Sequence, residues 1–338
     1  MKDNQYFSLD FTNNKLVFLN QTKLPFQEEY IETDDYERIA EAIEKLEIRG
    51  APAIGVAAGY ALALSFKKPL SNTEDQFKKS YARLFRTRPT AYNLFFVLDE
   101  LKKVFEKNKN SGDIYHLLLE KAKEFHKDDI EKCKSIGKNG LFIFKTKSTI
   151  LTHCNTGKLA TGGDGTAFNV IKIGFENNLV DFVYADETRP LLQGSRLTAF
   201  ELEKNGIPFA VQSDSSSAYL MRTRKIDFVI VGADRIALNG DTANKIGTYN
   251  LAILCNYHDV PFYVAAPSTT IDKNIASGEQ IEIEIRNKLE LLTLNGYPVS
   301  SEKYETFSPA FDVTPSHLIT GIITEKKVYF FPYNFIYE

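Results

Sequence analysis

From Lys145 onward, short apolar runs alternate with longer amphipathic ones. STILTHC precedes TAFNVIKIGFENN, VDFVYAD precedes SRLTAFELEKNG, and PFAVQS precedes SAYLMRTRK; IDFVIVGAD, TYNLAILCNYHD and PFYVAAP continue the series. The short runs are rich in β-branched and aromatic residues and read as strands, and the longer ones carry helical spacing. This βαβα alternation predicts a parallel sheet with helices on both faces, a Rossmann-like doubly wound α/β domain. The first third reads differently. After two short strands (YFSLDF, KLVFLN), helical patterns run over Asp34–Leu46, Thr73–Phe85, Thr90–Asn108 and Ile114–Ile136, with Ile39, Ala42, Ile43 and Leu46 sharing one face. Two domains are expected: a mostly helical one over 1–128 and a Rossmann-like catalytic one over 129–338. No repeat, low-complexity tract or linker separates them.

The longest apolar run, Ala51 to Phe66, is rich in Gly and Ala and shorter than the ~20 residues that cross a membrane. It reads as a tightly packed interior helix, with Pro52 suited to the first helical position. A formal net charge of -3 over 338 residues leaves no basic excess for nucleic acid or an anionic membrane. The basic cluster Arg222–Lys225 reads as a solvated helix end. Three cysteines without CxxC spacing fit a reducing compartment, and the N-terminus shows no apolar signal region. A cytoplasmic protein is expected, with neither nucleic acid nor membrane as partner.

Four polar clusters each follow an apolar strand: His153–Gly157, Asp186–Arg189, Ser213–Ser216 and Gly232–Arg235. Open α/β sheets bind ligands beyond the carboxyl ends of their strands, so this recurrence marks a site. Cys154 lies where a strand breaks into Asn-Thr-Gly ahead of a glycine-rich approach to a helix, where backbone amides favour an anion or a thiolate. A free cysteine is otherwise a small buried hydrophobe. His153 reads as a buried, satisfied histidine. The glycines of Thr161–Thr166, with Asp186 about 20 residues on, only weakly match a dinucleotide fingerprint. Phe168 replaces the third glycine, and Asp164 would repel a pyrophosphate. Asp234 ends the apolar run IDFVIVGAD and is a candidate acid with a raised pKa, or a partner of Arg235. Lys245, just before a helix expected from Thr248, suits a phosphate, with free helix N-terminal amides beside it. Arg49–Pro52 and Arg88–Ala91 repeat the pattern of an arginine before a helix start, as if the first unit supplied part of an anion cradle.

Longer motifs carry a resemblance. QTKLP, IRGAPAIGVAAGYALAL, RPTAYNL, LTHCNTGKLAT, YADETRPLLQGSRLTAFEL, VGADRIALNGDTANKIGTYNLA, VPFYVAAPSTTID and PAFDVTPSHLITGIITE together make nearly the whole chain similar to the methylthioribose-1-phosphate isomerase family of methionine salvage. The resemblance implies a helical N-terminal domain, a Rossmann-like C-terminal domain, and a homodimer without metal or cofactor. Cys154 matches the family's catalytic cysteine and Asp234 its catalytic aspartate. Arg49, Gly50, Ala51, Arg88, Gln193, Asn244 and Lys245 match its substrate-contacting positions; Gln193 has no local signal of its own. The implied reaction is aldose–ketose isomerisation of 5-methylthioribose 1-phosphate, with Asp234 as acid and proton shuttle and Cys154 as base at C2. A hydride shift is the competing route.

Two positions depart from the family pattern: Asp164, where relatives carry a bulkier aromatic, and Ser216, where they carry an apolar residue. Isomerases of 5-deoxyribose 1-phosphate, and more distantly of ribose 1,5-bisphosphate, are therefore alternative readings. Regulatory subunits of the eukaryotic initiation-factor exchange complex share the fold without the activity. The set of Cys154, Asp234, RGAP and NKIGT separates this chain from them.

Overall fold

A computed structural model describes residues 6–68, 72–88, 92–294 and 296–336. It contains two compact units, residues 1–135 with 156–165, and residues 136–155 with 166–338. The division falls at 135/136, inside a helix, where the sequence led to a boundary after residue 128. The first unit also takes in the loop that follows Cys154.

The first unit opens with an antiparallel meander of β1 (Leu9–Thr12), β2 (Lys15–Leu19) and β3 (Tyr30–Thr33). Five helices follow: α1 (Tyr36–Glu44), α2 (Ala51–Leu64), α3 (Thr73–Phe85), α4 (Tyr92–Asn108) and α5 (Ile114–Gly140). In α2 every residue except Pro52 is buried, as its all-round apolar sequence requires. No helix among the described residues is long and apolar enough to cross a membrane.

The second unit contains β4 (Ser148–Thr152), α6 (Ala167–Glu176), β5 (Val180–Asp186), and α7, whose π-helical first turn Gly194–Thr198 continues as Ala199–Lys204. Next come β6 (Phe209–Gln212), α8 (Ser217–Arg222), β7 (Phe228–Val231), β8 (Arg235–Ile236), β9 (Thr242–Lys245), α9 (Thr248–His258) and β10 (Phe262–Ala265). An excursion through α10 (Leu289–Leu292), β11 (Thr293–Leu294) and β12 (Tyr297–Pro298) leads to β13 (Phe311–Thr314), β14 (Gly321–Ile323) and β15 (Val328–Phe330).

The main sheet has the order β15-β14-β10-β7-β4-β5-β6, parallel except for β15. Both faces are covered. Leu151, Val229, Val231 and Val264 pack with Leu220 of α8 and Leu251 of α9 in one apolar cluster. Ile150, Val183, Ile230 and Ala265 pack with Val170 of α6 and Leu202 of α7 in another. That two-sided burial is why these strands read as continuous apolar runs rather than alternating ones. Each of these Val, Leu and Ile side chains contributes about 1.5–3 kcal/mol of transfer free energy.

The chain lays strands outward from β4 in one direction, β5 then β6, and then in the other, β7, β10, β14 and β15. The order therefore reverses between β4 and β7, which pair with Leu151 opposite Val229. In a doubly wound sheet that reversal opens a crevice at the carboxyl ends of the strands. A small antiparallel sheet, β13-β9-β8, which the sequence pattern did not reveal, follows directly after β7.

Candidate active site

Cys154 follows β4 and Asp234 follows β7, so the two candidate catalytic residues come from the two strands that flank the reversal. Cys154 is buried and adopts φ 63°, a left-handed conformation that non-glycine residues rarely take. Such a residue stores on the order of 1 kcal/mol of strain and persists only where its surroundings hold it. Two threonines do so here. The Cys154 amide donates to Thr188 Oγ1 at 2.9 Å, and Thr198 Oγ1 donates to the Cys154 carbonyl at 2.5 Å. Thr188 is itself fixed: its hydroxyl donates to the Asp186 carbonyl, and its amide donates to Asp214. Asn155 ties the next peptide down by donating to the buried Glu201 carboxylate at 2.9 Å.

His153 is buried. Its Nδ1 lies 3.0 Å from Asp186 Oδ2 and its Nε2 lies 2.9 Å from the Ile246 carbonyl. Burial alone would lower its pKa, but the hydrogen bond and charge of Asp186, with Asp214 behind it, raise it above the ordinary value. The other Asp186 oxygen accepts from Gln212 and Ser217. His153, Asp186 and Asp214 also bring potential metal-ligating atoms within 4.8 Å of one another. Their lone pairs are taken up by this network and by the Thr188 and Arg189 amides on Asp214.

Asp234 is half-buried in the connection to β8, where its amide donates to the Ala243 carbonyl at 2.9 Å. Gln193 is buried just ahead of the π-helical turn of α7, and its Oε1 has no hydrogen-bond partner among the described residues. π-Turns recur at functional sites, and a buried acceptor left open is the kind of group that a ligand hydroxyl completes. Asn244 and Lys245 are buried in β9. Asn244 donates to Thr248 Oγ1 at 3.0 Å; Lys245 donates to the Ala310 carbonyl at 2.8 Å and lies over the Phe311 ring.

One expectation is corrected. Lys245 does not stand beside open helix amides, because Asp312 occupies that end of α9. Its Oδ2 accepts from the Gly247 amide at 2.7 Å and its Oδ1 from the Tyr249 amide at 3.0 Å. Burial raises the Asp312 pKa despite these bonds. The glycine loop, only a weak match to a dinucleotide fingerprint, has an internal partner. It belongs to the first unit, and the Gly162 amide donates to Asp129 Oδ2 at 2.6 Å. The loop does hold an anion, but the anion is the chain's own carboxylate.

Within the first unit, Arg49 and Gly50 are half-buried and Ala51 buried at the start of α2. Gly50 has φ 89°, and a Cβ there would come within 2.3 Å of the Ala160 carbonyl oxygen. Arg88 is half-buried three residues beyond the end of α3. The rest of the Arg88–Ala91 junction lies outside the described residues. Both departures from the family pattern have neighbours of their own: Asp164 pairs with Lys158 at 2.9 Å, and Ser216 Oγ meets Ser213 Oγ at 2.8 Å.

Among the candidate site residues, Gln193, Thr198 and Asp312 carried no local signal, and Thr188 only that of the Asp186–Arg189 cluster. Their roles arise from hydrogen bonds across 34 to 65 residues of sequence, or from a buried acceptor visible only in the fold.

Comparison with known proteins gives a consistent result. The pattern of the Initiation factor 2 subunit family matches residues 47–329. The methylthioribose-1-phosphate isomerase of Caldicellulosiruptor saccharolyticus is 50% identical over 329 residues, covering 96% of each chain. The crystal structure of 5-methylthioribose 1-phosphate isomerase from Pyrococcus horikoshii OT3 superposes with a TM-score of 0.90 at 38% identity, covering 97% of this chain and 94% of that one. Subunit delta of translation initiation factor eIF-2B from A. fulgidus superposes with a TM-score of 0.84 at 36% identity, covering 97% of each.

Proposed function

The chain belongs to the initiation factor 2 subunit family, among its methylthioribose-1-phosphate isomerases, and from that premise we propose that it converts 5-methylthioribose 1-phosphate to 5-methylthioribulose 1-phosphate with Asp234 as acid and proton shuttle and Cys154 as base. The observation that carries the role assignment is the pairing of β4 with β7. It sets a strained, doubly anchored cysteine and a half-buried carboxyl at adjacent strand ends, on either side of the reversal in strand order.

The substrate is locked as a cyclic acetal, so the ring must open before isomerisation. Asp234 gives a proton to the ring oxygen as the C1–O bond breaks. The Cys154 thiolate takes the C2 hydrogen as a proton and leaves an enol. That proton returns to C1 while the Asp234 carboxylate accepts the C2 hydroxyl proton, and C2 becomes the ketone. Both groups end in their starting states. A carboxyl at an apolar strand end suits the first step. A positioned cysteine is among the side chains that serve as a general base.

Lys245 and Asn244 are proposed as contacts to the phosphate and sugar, and the open Gln193 oxygen as an acceptor for a sugar hydroxyl. Arg49, Gly50, Ala51 and Arg88 are proposed as the substrate-contacting positions of the first unit. Family membership extends the proposal to a cytoplasmic homodimer that works without metal or cofactor. Identity of 50% and 51% with methylthioribose-1-phosphate isomerases over nearly the whole chain favours the methylthio sugar over its deoxy analogue.

The test is a side-by-side measurement of kcat/KM on 5-methylthioribose 1-phosphate and 5-deoxyribose 1-phosphate. A preference for the first supports the assignment. A preference for the second makes Asp164 and Ser216 determinants of specificity, and turnover of neither removes the isomerase reading.

A further inference from the structure

Two buried histidines of this chain differ in their bonding. His126 has a donor on one side and an acceptor on the other: Tyr60 Oη lies 3.0 Å from its Nδ1, and the Gly162 carbonyl lies 3.1 Å from its Nε2. A neutral ring satisfies both, and burial lowers its pKa. His153 has acceptors on both sides. The Ile246 carbonyl can only accept, which fixes a hydrogen on Nε2. The other partner is Asp186, whose second oxygen already accepts from Gln212 Nε2 at 2.7 Å and Ser217 Oγ at 3.0 Å. Two donors on that oxygen favour the carboxylate form, so the shared proton stays on Nδ1.

We propose that His153 is a positioning residue of this site, an imidazolium that donates from both ring nitrogens and so ties the turn carrying Cys154 to the segment carrying Asn244 and Lys245. The Nε2 bond fixes the carbonyl of Ile246, the residue after Lys245. Gly247 then turns with φ 103° against the ring, where a Cβ would lie 3.0 Å from His153 Cε1. At its other end the ring is anchored to Asp186, whose carbonyl accepts the Thr188 hydroxyl that holds the Cys154 amide. One protonated ring therefore sets the spacing between the candidate base and the candidate phosphate contacts. Three carboxylates from separate elements act on it: Asp186 ending β5, Asp214 following β6, and Asp312 in β13. Loss of the second ring proton leaves a bare nitrogen facing an acceptor and opens one end of the tie.

The proposal rests on the isomerase reading, and two measurements separate them. In protein labelled with 15N-histidine, His153 is expected to show two protonated ring nitrogens at pH 7.5, while His126 shows one bare nitrogen. A neutral His153 at that pH overturns the proposal, whatever the enzyme does.

The second measurement is the pH profile of kcat/KM on 5-methylthioribose 1-phosphate for the wild type and for Asp186→Asn. An asparagine amide can donate to Nδ1, so a neutral His153 satisfies both partners in that variant. The wild type is expected to lose about tenfold at alkaline pH through this step, the loss of one charge-assisted hydrogen bond. The variant should lack that decline. Superimposable profiles overturn the positioning role, since a merely structural defect lowers activity equally at every pH. Absence of wild-type turnover counts against the isomerase reading and leaves the spectroscopic result to judge His153.

Discussion

The Cys154 amide donates to the Thr188 hydroxyl at 2.9 Å, and that one bond joins the end of β4 to the end of β5. It holds a cysteine in a left-handed conformation that its own side chain disfavours. Thr188→Val keeps the shape and removes the acceptor, leaving a buried amide unsatisfied at a cost of about 1–3 kcal/mol. The expected result is a fall in kcat of at least about tenfold with little change in KM. Thr188→Ser, which keeps the hydroxyl, should recover most of it. Steady-state kinetics of the two variants, with urea denaturation alongside, checks this.

Lys245 is buried over the Phe311 ring, so Lys245→Met keeps apolar contact with that ring while removing the charge. If the ammonium binds the substrate phosphate, losing a charge-assisted hydrogen bond raises KM roughly 10- to 100-fold. Competitive inhibition by inorganic phosphate should weaken in parallel. An unchanged phosphate inhibition constant would remove Lys245 from the phosphate site.

Asp129 gives the first unit a stability that depends on pH. Burial pushes its carboxyl up to about 6, despite the Gly162 amide and the nearby Lys132 charge. Between the pKa of free aspartic acid and that value, the folded chain binds more protons than the unfolded one. Stability therefore falls as pH rises through the window from about 4 to about 6, by on the order of 3 kcal/mol. Asp129→Asn keeps an oxygen for Gly162 and cannot ionise. Its stability relative to the wild type should rise across this window, as read from urea midpoints. A constant difference from pH 4 to pH 7 would contradict the buried carboxyl, and comparing the two proteins cancels the opposite contribution of His126.

The local pattern revealed what local forces decide. The two-sided burial of β4, β5, β7 and β10 shows as continuous apolar runs, and α2 shows as a segment apolar all round. The strand-end position of Cys154 and Asp234 follows from where those runs stop. Other features depend on partners far away in sequence. β9 is the tetrapeptide TANK, with no alternation to betray a strand, and it sits between β8 and a β13 that arrives some seventy residues later. For the same reason Asp312 could not be foreseen at the start of α9, nor Asp129 beneath the glycine loop. Both are carboxylates filling amide sites that, read locally, were open to an external anion. Gln193 was found only through family resemblance, and its open buried oxygen appears only in the folded chain.

The most direct test of the central claim is turnover of 5-methylthioribose 1-phosphate, followed by proton NMR, for the wild type, Cys154→Ser and Asp234→Asn. Circular dichroism would confirm that each variant is folded. The account predicts conversion to the ketose by the wild type and a loss of at least about 10²-fold in each variant, the scale of removing a general acid or base. Full activity in both folded variants, or no conversion by the wild type, would contradict it.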